Sequence, residues 1–384
     1  RRQVCVMLAR LPDKHDVYPA VQDMDTSRLN KDQVELLLLN VPSQEEVKLL
    51  QAAEAEHVID ELNVWDAAED FILSLIRIPQ FQLRLQVWDF ENSFQERFDS
   101  VSHAAEVISS GCNSLLASGS IRHLLAIVLS VGNYLNGGTP RGRADGFAID
   151  TLTQVRTVKM SQAERPGTLV DYVTQQMERN YPGEIGQMFA AGKEVECIKR
   201  AARYKLEDVV DEVNTFKAAL DQLLRMLQSS GKEDAALTLH AEILEARSLE
   251  VVELQSRLRR LSDRYAELGS WFHLNCEKSK KSTDEFFGIW DKFMLDIKQA
   301  RNSLQELEKR EAALQRQRTS LTPGRTSCPA LTPGARRSLT PRRSRGNADT
   351  RSGGAGEAPR RPRLEACSPA RPVAAAGAIA AAAT

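Results

Sequence analysis

Apolar positions along the chain recur every three or four residues, and strict alternation is nearly absent. The pattern predicts an all-α protein. Residues 29–50 read as a helix running into Pro42 and a second one starting at Ser43, where Ser43 and Glu46 have capping-box spacing. Residues 71–76 predict a helix that stops before Pro79. Ile121, Leu124, Leu125, Ile127, Val128, Leu129 and Val131 make the next segment apolar almost all round, which places it at the heart of a core. Beyond Pro182 the stripes lengthen. One runs through Val195, Ile198, Ala202, Leu206, Val209, Val213, Phe216, Leu220, Leu223 and Leu227. A second runs from Leu237 through Leu244, Val251, Leu258 and Leu268 to Phe272. A third begins at the Ser282/Glu285 pair and uses Phe286, Trp290, Phe293, Ile297, Ala300, Leu304 and Leu307. Breaks at Ser229-Ser230-Gly231 and at residues 275–281 let successive helices fold back as hairpins. Such stripes suit an intramolecular bundle or a coiled coil between chains, and the bundle is the expectation.

Composition then divides the chain. Residues 317–384 are rich in Arg, Pro, Gly, Ser and Ala, with few large apolar residues, and such a segment cannot bury enough surface to offset its ordering entropy. A helical body over residues 1–316 and a disordered basic tail over residues 317–384 are expected. The overall balance of 51 basic and 52 acidic residues hides this split. Residues 321–384 hold 11 Arg, no Lys and 3 acids, a net of +8, which leaves 40 basic and 49 acidic residues, a net of −9, in the preceding 320. The six cysteines, Cys5, Cys112, Cys197, Cys276, Cys328 and Cys367, are scattered, so reduced thiols are expected and no metal site or disulfide framework. No apolar run approaches the ~20 residues of a membrane span, and residues 374–384 are too short for one. Nothing resembles a signal peptide. The chain opens on Arg1-Arg2-Gln3, which suggests a fragment with further parts upstream.

Chemistry-bearing motifs fail one by one. Gly132-Asn133-Tyr134-Leu135-Asn136-Gly137-Gly138-Thr139 superficially suggests a phosphate loop. Gly138, however, occupies the place of the essential Lys, and the stretch follows a helix rather than a strand. The histidines stand apart without zinc-ligand spacing. Acidic pairs such as Glu45-Glu46 suit solvated helix faces. No nucleophile has a base beside it, and no motif for specific nucleic-acid recognition is present. A non-enzyme without cofactor or metal is expected.

The same glycine stretch carries a resemblance. With Asp145-Gly146-Phe147 it resembles the signature of the formin homology-two domain: a GNxxN helix end, a short loop and a Gly-Phe. Three further stretches match that family in order. Residues 36–50 around Pro42 are similar to its "LLxxxPxxEExxxL" segment. Glu69-Asp70-Phe71, Ile78-Pro79 and Arg84-Leu85 follow its "E-x-F…IP…RL" segment. Tyr265 to Phe272 and Glu285-Phe286-Phe287 look like its last helical signatures. Four ordered matches across roughly 300 residues outweigh the weakness of each one alone.

The resemblance implies an elongated all-helical subunit with a knob, a coiled-coil bundle and a post. It also implies an antiparallel homodimer that nucleates actin filaments and stays on the growing barbed end, in the cytoplasm and cytoskeleton. In such a ring a lasso from each subunit encircles the partner's post. By alignment Gly132, Asn133, Tyr134, Asn136, Gly146 and Phe147 belong to the surface that receives it. The alternative for Tyr134 and Phe147 is simple core packing. Gly146 would serve a loop that needs positive φ or close backbone approach. Two actin contacts follow. Val6 falls where the family's "NLxIxL" pattern has an isoleucine that enters an apolar cleft, one methylene short and so about 0.8 kcal/mol weaker if buried. Lys159, with Arg156 beside it, falls at a basic position after the Gly-Phe loop, the alternative being an ordinary surface lysine. The lasso, the linker and the proline-rich region that delivers profilin-actin would precede residue 1. Other readings are a helical scaffold that keeps the fold without actin assembly, and a binder of microtubules or other acidic polymers through the basic tail.

Without a lasso the 384-residue chain should sediment mainly as a monomer at micromolar concentration, and a stable dimer would mean that the long helices pair between chains. The tail generates a second expectation. Thr322, Thr332, Thr340 and Ser368 each precede Pro, and each phosphate adds about −1.5 to −2 charges. Four phosphates would take the +8 tail to roughly zero or +2, and co-sedimentation with an acidic polymer should fall away. Equal binding by the phosphorylated and unmodified chain would end the idea.

Overall fold

The structure is a computed structural model that describes residues 2–56, 65–160, 167–230, 234–272, 274 and 281–320. The chain divides into two compact units, Arg1–Thr322 and Pro323–Thr384, and every described residue belongs to the first. Thr322, Thr332, Thr340 and Ser368 therefore lie outside the described residues, as do Cys276, Cys328 and Cys367. The all-α expectation holds: fourteen helices account for the described secondary structure apart from one isolated bridge, Lys159 with Thr168.

Five helices come first: α1 (Arg2–Leu8), α2 (Lys14–Asp23), α3 (Lys31–Leu39), α4 (Gln44–Glu56) and α5 (Ala67–Ile76). The expected capping box starts α4: the Ser43 amide donates to Glu46 Oε2 at 2.8 Å and the Glu46 amide to Ser43 Oγ at 3.3 Å. Then come α6 (Phe81–Ala117) and α7 (Gly119–Leu135), which meet at Ser118 with a 60° bend. The short helices α8 (Thr151–Val155), α9 (Leu169–Asn180), α10 (Glu184–Met188) and α11 (Glu194–Ala201) precede three long ones: α12 (Leu206–Ser229), α13 (Ala235–Trp271) and α14 (Thr283–Ser320).

Four features differ from the sequence reading. The core is organised by α6, not α7. Ile121, Leu124, Ile127 and Val128 of α7 are buried, but Leu125, Leu129 and Val131 are only half-buried and Ala126 and Ser130 face solvent. The reason is that α7 packs mainly on α9 and α10, which cover one side of it. The α6 helix meets α2 and α3 in its first half, α12 and α13 from its start through its middle and α11 toward its end. The pattern concealed α6 because its buried Leu85, Trp88, Phe94, Val101 and Ile108 are interleaved with Asp89, Glu91, Glu96, Arg97 and Asp99.

The second difference is a break in the first long stripe. Residues 202–205 separate α11 from α12. Buried Thr283 fixes the break: its Oγ1 accepts from the Leu206 amide at 2.9 Å and donates to the Tyr204 carbonyl at 3.0 Å. Third, α12 and α13 do form the expected hairpin, but α14 does not fold back along α13. It packs on α8, α9 and α11, and it meets α13 at a corner where Phe272 lies 5.4 Å from Phe286 and 5.8 Å from Trp290. The fourth difference concerns Gly146 and is described with the loop that holds it.

The bundle's directions can be read from its cross-links. Arg84 pairs with Asp234, Glu91 with His240 at 2.8 Å, Arg247 lies over Phe94 at 4.7 Å, and Arg257 reaches Ser102 at 3.4 Å. Numbers rise together, so α6 and α13 are parallel. The α12 helix runs against both, with Phe216 on Phe90 at 5.3 Å and Asn214 bonded to Gln255 at 3.1 Å. Arg84 is 2% exposed. Its Nε donates to the Pro79 carbonyl at 3.0 Å, one terminal nitrogen to the Gln22 carbonyl and the other to Asp234 Oδ2. Asp234 Oδ1 meanwhile caps α13, accepting from the Ala236 and Leu237 amides.

Near the far end of α6 the packing depends on a missing side chain. A Cβ at Gly111 would lie 2.6 Å from Ala201 Cβ of α11 and 3.0 Å from Phe287 Cζ of α14. Gly111→Ala should therefore lower stability by about 1–3 kcal/mol, as overpacking typically does. Urea unfolding measures it; a stability equal to wild type would show that the three helices are not in close contact there.

Candidate functional site

The residues singled out by the sequence fall in two places. Val6 lies on α1, which packs against α5. Neighbouring Met7 is buried, whereas the Val6 side chain is 61% exposed. An apolar residue at the surface of a seated helix is available for contact, and Val6 is one of these.

The other residues lie between the end of α7 and α9. Here the apolar helix runs out and the chain must turn. The Asn136 amide closes α7 by donating to the Gly132 carbonyl at 3.0 Å, and the Asn136 carbonyl then accepts the Thr139 amide at 3.1 Å and the Thr139 hydroxyl at 2.7 Å. Asn133 staples the loop across: its Nδ2 donates to the Ala144 carbonyl and its Oδ1 accepts from the Ala144 amide, both at 2.9 Å. A side-chain amide is suited to this, having one donor and one acceptor side by side.

Gly146 does not do what its motif position suggests. It has no positive φ, and a Cβ there would meet nothing within 4 Å. The conformational demand falls instead on Gly138, singled out above only for standing where a phosphate loop has its Lys, and on Gly142, which no motif named. Gly138 has φ +79°, and a Cβ on Gly142 would lie 2.3 Å from the Asn136 carbonyl oxygen. The clue was the spacing of Gly137, Gly138 and Gly142 in a turn that doubles back.

The loop's outer residues divide by exposure. Tyr134 is 86% exposed, so core packing is not its role. Gly132 is half-buried, Asn136 and Gly146 are exposed, and Phe147 is half-buried against the core, close to the alternative reading for it. Past the loop, Ile149, Leu152 and Val155 are buried and seat α8 on α14. Arg156 ends α8 and lies 3.9 Å from Asp296 of α14, with its side chain still 58% exposed. Lys159 is exposed. Its backbone is held by bonds on either side, Leu169 amide to Val158 carbonyl at 2.8 Å and Met160 amide to Gly167 carbonyl at 2.9 Å. Arg156 and Lys159 thus share one short segment with the loop, while Val6 belongs to the α1–α5 group.

Little else offers reactive chemistry. Among the described residues no group of three or more His, Cys, Asp and Glu could hold a metal ion. Burial pushes the Cys112 thiol up to about 12, which keeps it protonated and inert. No single helix among the described residues is long and apolar enough to cross a membrane.

The staple gives a local test. Asn133→Ala deletes both bonds to Ala144, and amide exchange at Ala144 should quicken by about tenfold or more, as expected for losing roughly 1–3 kcal/mol of hydrogen bonding. Unchanged exchange in a mass-spectrometric measurement would show that the loop is held by something else.

With this geometry in view, comparison with known proteins is informative. Residues 1–298 match the model of the Formin Homology 2 Domain. The chain is 31% identical over 320 residues to Disheveled-associated activator of morphogenesis 2 of Gallus gallus, covering 81% of this chain and 28% of that protein. It is 29% identical over 309 residues to Disheveled-associated activator of morphogenesis 1 of Homo sapiens, covering 78% and 28%. It is 26% identical over 316 residues to Formin-G of Dictyostelium discoideum, covering 81% and 28%. The matched stretch thus spans under a third of each relative's length. The helical fold, the ordered motifs and a domain match over most of its length together place the chain in the formin homology 2 family.

Proposed function

We propose that the chain is the actin-binding helical core of a formin, a non-enzymatic factor in filament assembly that works in the cytoplasm at the cytoskeleton. One observation carries this reading. Three positions that the family pattern assigns to contacts, Val6, Tyr134 and Lys159, are exposed, although each is anchored to a packed helical body. Exposure at these positions leaves an apolar side chain, an aromatic ring and an ammonium free to meet a partner. In this reading Val6 enters an apolar cleft on the filament's barbed end, and Lys159, helped by Arg156, meets acidic actin surface. Tyr134, Asn136 and Gly146 form the outer face that receives the partner's lasso in an antiparallel dimer, with the half-buried Phe147 next to Gly146. Gly132 and Asn133 act from beneath by shaping the loop. Profilin-actin would be delivered by a proline-rich region outside this chain.

The test separates the two contacts. Val6→Asp puts an unpartnered carboxylate in an apolar cleft and should cost several kcal/mol, a hundredfold or more in affinity. Lys159→Asp should cost on the order of 1 kcal/mol and lose its effect as salt rises. Val6→Ile should strengthen binding modestly. The measurement is the slowing of depolymerisation of diluted filaments by a chain extended with a lasso and linker. If Val6→Asp leaves that slowing intact, the α1 contact is wrong. If the extended wild type never binds filaments, the scaffold reading takes its place.

A further inference from the structure

Outside these surfaces, one cleft gathers positive charge on an otherwise acidic body. Arg257, Arg260 and Arg264 are spaced by three and four residues on α13, which puts them on one face of the helix. With Ala105, Glu106 and Ser109 of α6 and Leu261 of α13 they line a cleft of about 350 Å³ between the two parallel helices. All three arginines are exposed.

The informative point is that three arginines without an ion pair among the described residues converge on one cleft. Several cations of the long helices are paired, Arg84 with Asp234, Arg247 with Glu250 at 3.1 Å and Arg301 with Glu178 at 2.9 Å. In this cleft the single polar contact among the described residues is Arg257 Nη1 donating to Ser102 Oγ at 3.4 Å. Glu106 stands at the wall of the same cleft. Three arginines against one glutamate leave the cleft at +2, although the first 320 residues sum to −9. Like charges one turn apart on a helix repel, and the apolar floor of Ala105 and Leu261 strengthens the field inside the cleft. A bound anion would relieve both.

We propose that this cleft binds a phosphate-bearing ligand. Planar guanidinium forks pair with phosphate oxygens two bonds at a time, and the Ser109 hydroxyl adds a donor at the α6 side. Glu106 opposes the anion and sets a limit on its affinity. The phosphate is either on a soluble molecule or on a lipid headgroup, and the chemistry at the arginines is the same for both.

Calorimetric titration of the full chain with inorganic pyrophosphate at low salt tests the site. The Arg-rich tail contributes a background common to all variants, so the readout is the difference between them. Arg260→Gln with Arg264→Gln should weaken binding by at least about tenfold, the scale of lost charge-assisted hydrogen bonds. Glu106→Gln should tighten it several-fold, and this variant breaks no contact of the fold, so the test survives if the double variant unfolds. A second arm uses vesicles of phosphatidylcholine with and without phosphatidylinositol 4,5-bisphosphate. Pyrophosphate binding without vesicle preference assigns a soluble phosphate. Vesicle preference that the double variant loses assigns the headgroup. Pyrophosphate binding that is the same in wild type, double variant and Glu106→Gln would place it in the tail and overturn the proposal.

Discussion

A guanidinium removed from water must find acceptors for its donors or cost several kcal/mol. Arg84 meets that demand with the Pro79 and Gln22 carbonyls and the Asp234 carboxylate. Those acceptors come from three parts of the chain: the turn before α6, the end of α2 and the cap of α13. The charge can be buried only when all three have arrived, so one side chain fixes the N-terminal helices and the bundle relative to α6. Lysine could not replace it, because a single ammonium cannot span three diverging acceptors as a planar fork does. Asp234 is bound by the same logic, with one oxygen holding the arginine and the other the first turn of α13.

From that junction α6 runs on as a spine whose two ends are sealed differently. At its start the seal is polar and directional. Near its far end it is steric, since Gly111 lets α11 and α14 approach to a distance that any side chain would forbid. The surfaces proposed for contact hang from these two ends, Val6 with the α1–α5 group and Tyr134 and Lys159 with the helices gathered around α9 and α14. The spacing between them is thus a property of the spine and not of the loops that carry them.

Much of this was legible in the chain. Capping residues such as Ser43 with Glu46, and the long stripes of α12, α13 and α14, announced helices because local hydrogen bonding and a single buried face repeat with the helical period. What stayed hidden were features decided by distant partners. The α6 pattern is blurred because several neighbours cover it in turn, so apolar and charged residues alternate around it. The interruption at residues 202–205 depends on Thr283, about eighty residues away. At the loop, the motif directed attention to Gly146, yet the positive φ sits at Gly138 and the close approach at Gly142. A motif records which residues recur together, and it does not say which of them bears the geometric load. Exposure of Tyr134 and Val6 likewise needed the fold, since an apolar residue beside buried neighbours carries no sign of which way it faces.

The parallel pairing of α6 with α13 also sets a timetable. Arg84 and Asp234 are 150 residues apart, and a ribosome adding about 5–20 residues per second needs roughly 8–30 s to cover that distance. During that interval the newly made α6 lacks α13 and gains α11 and α12 only as residues 194–229 are made, and its guanidinium lacks the carboxylate that completes its site. The risk of misassociation during synthesis is therefore governed by how quickly the chain is translated rather than by how stable it finally becomes.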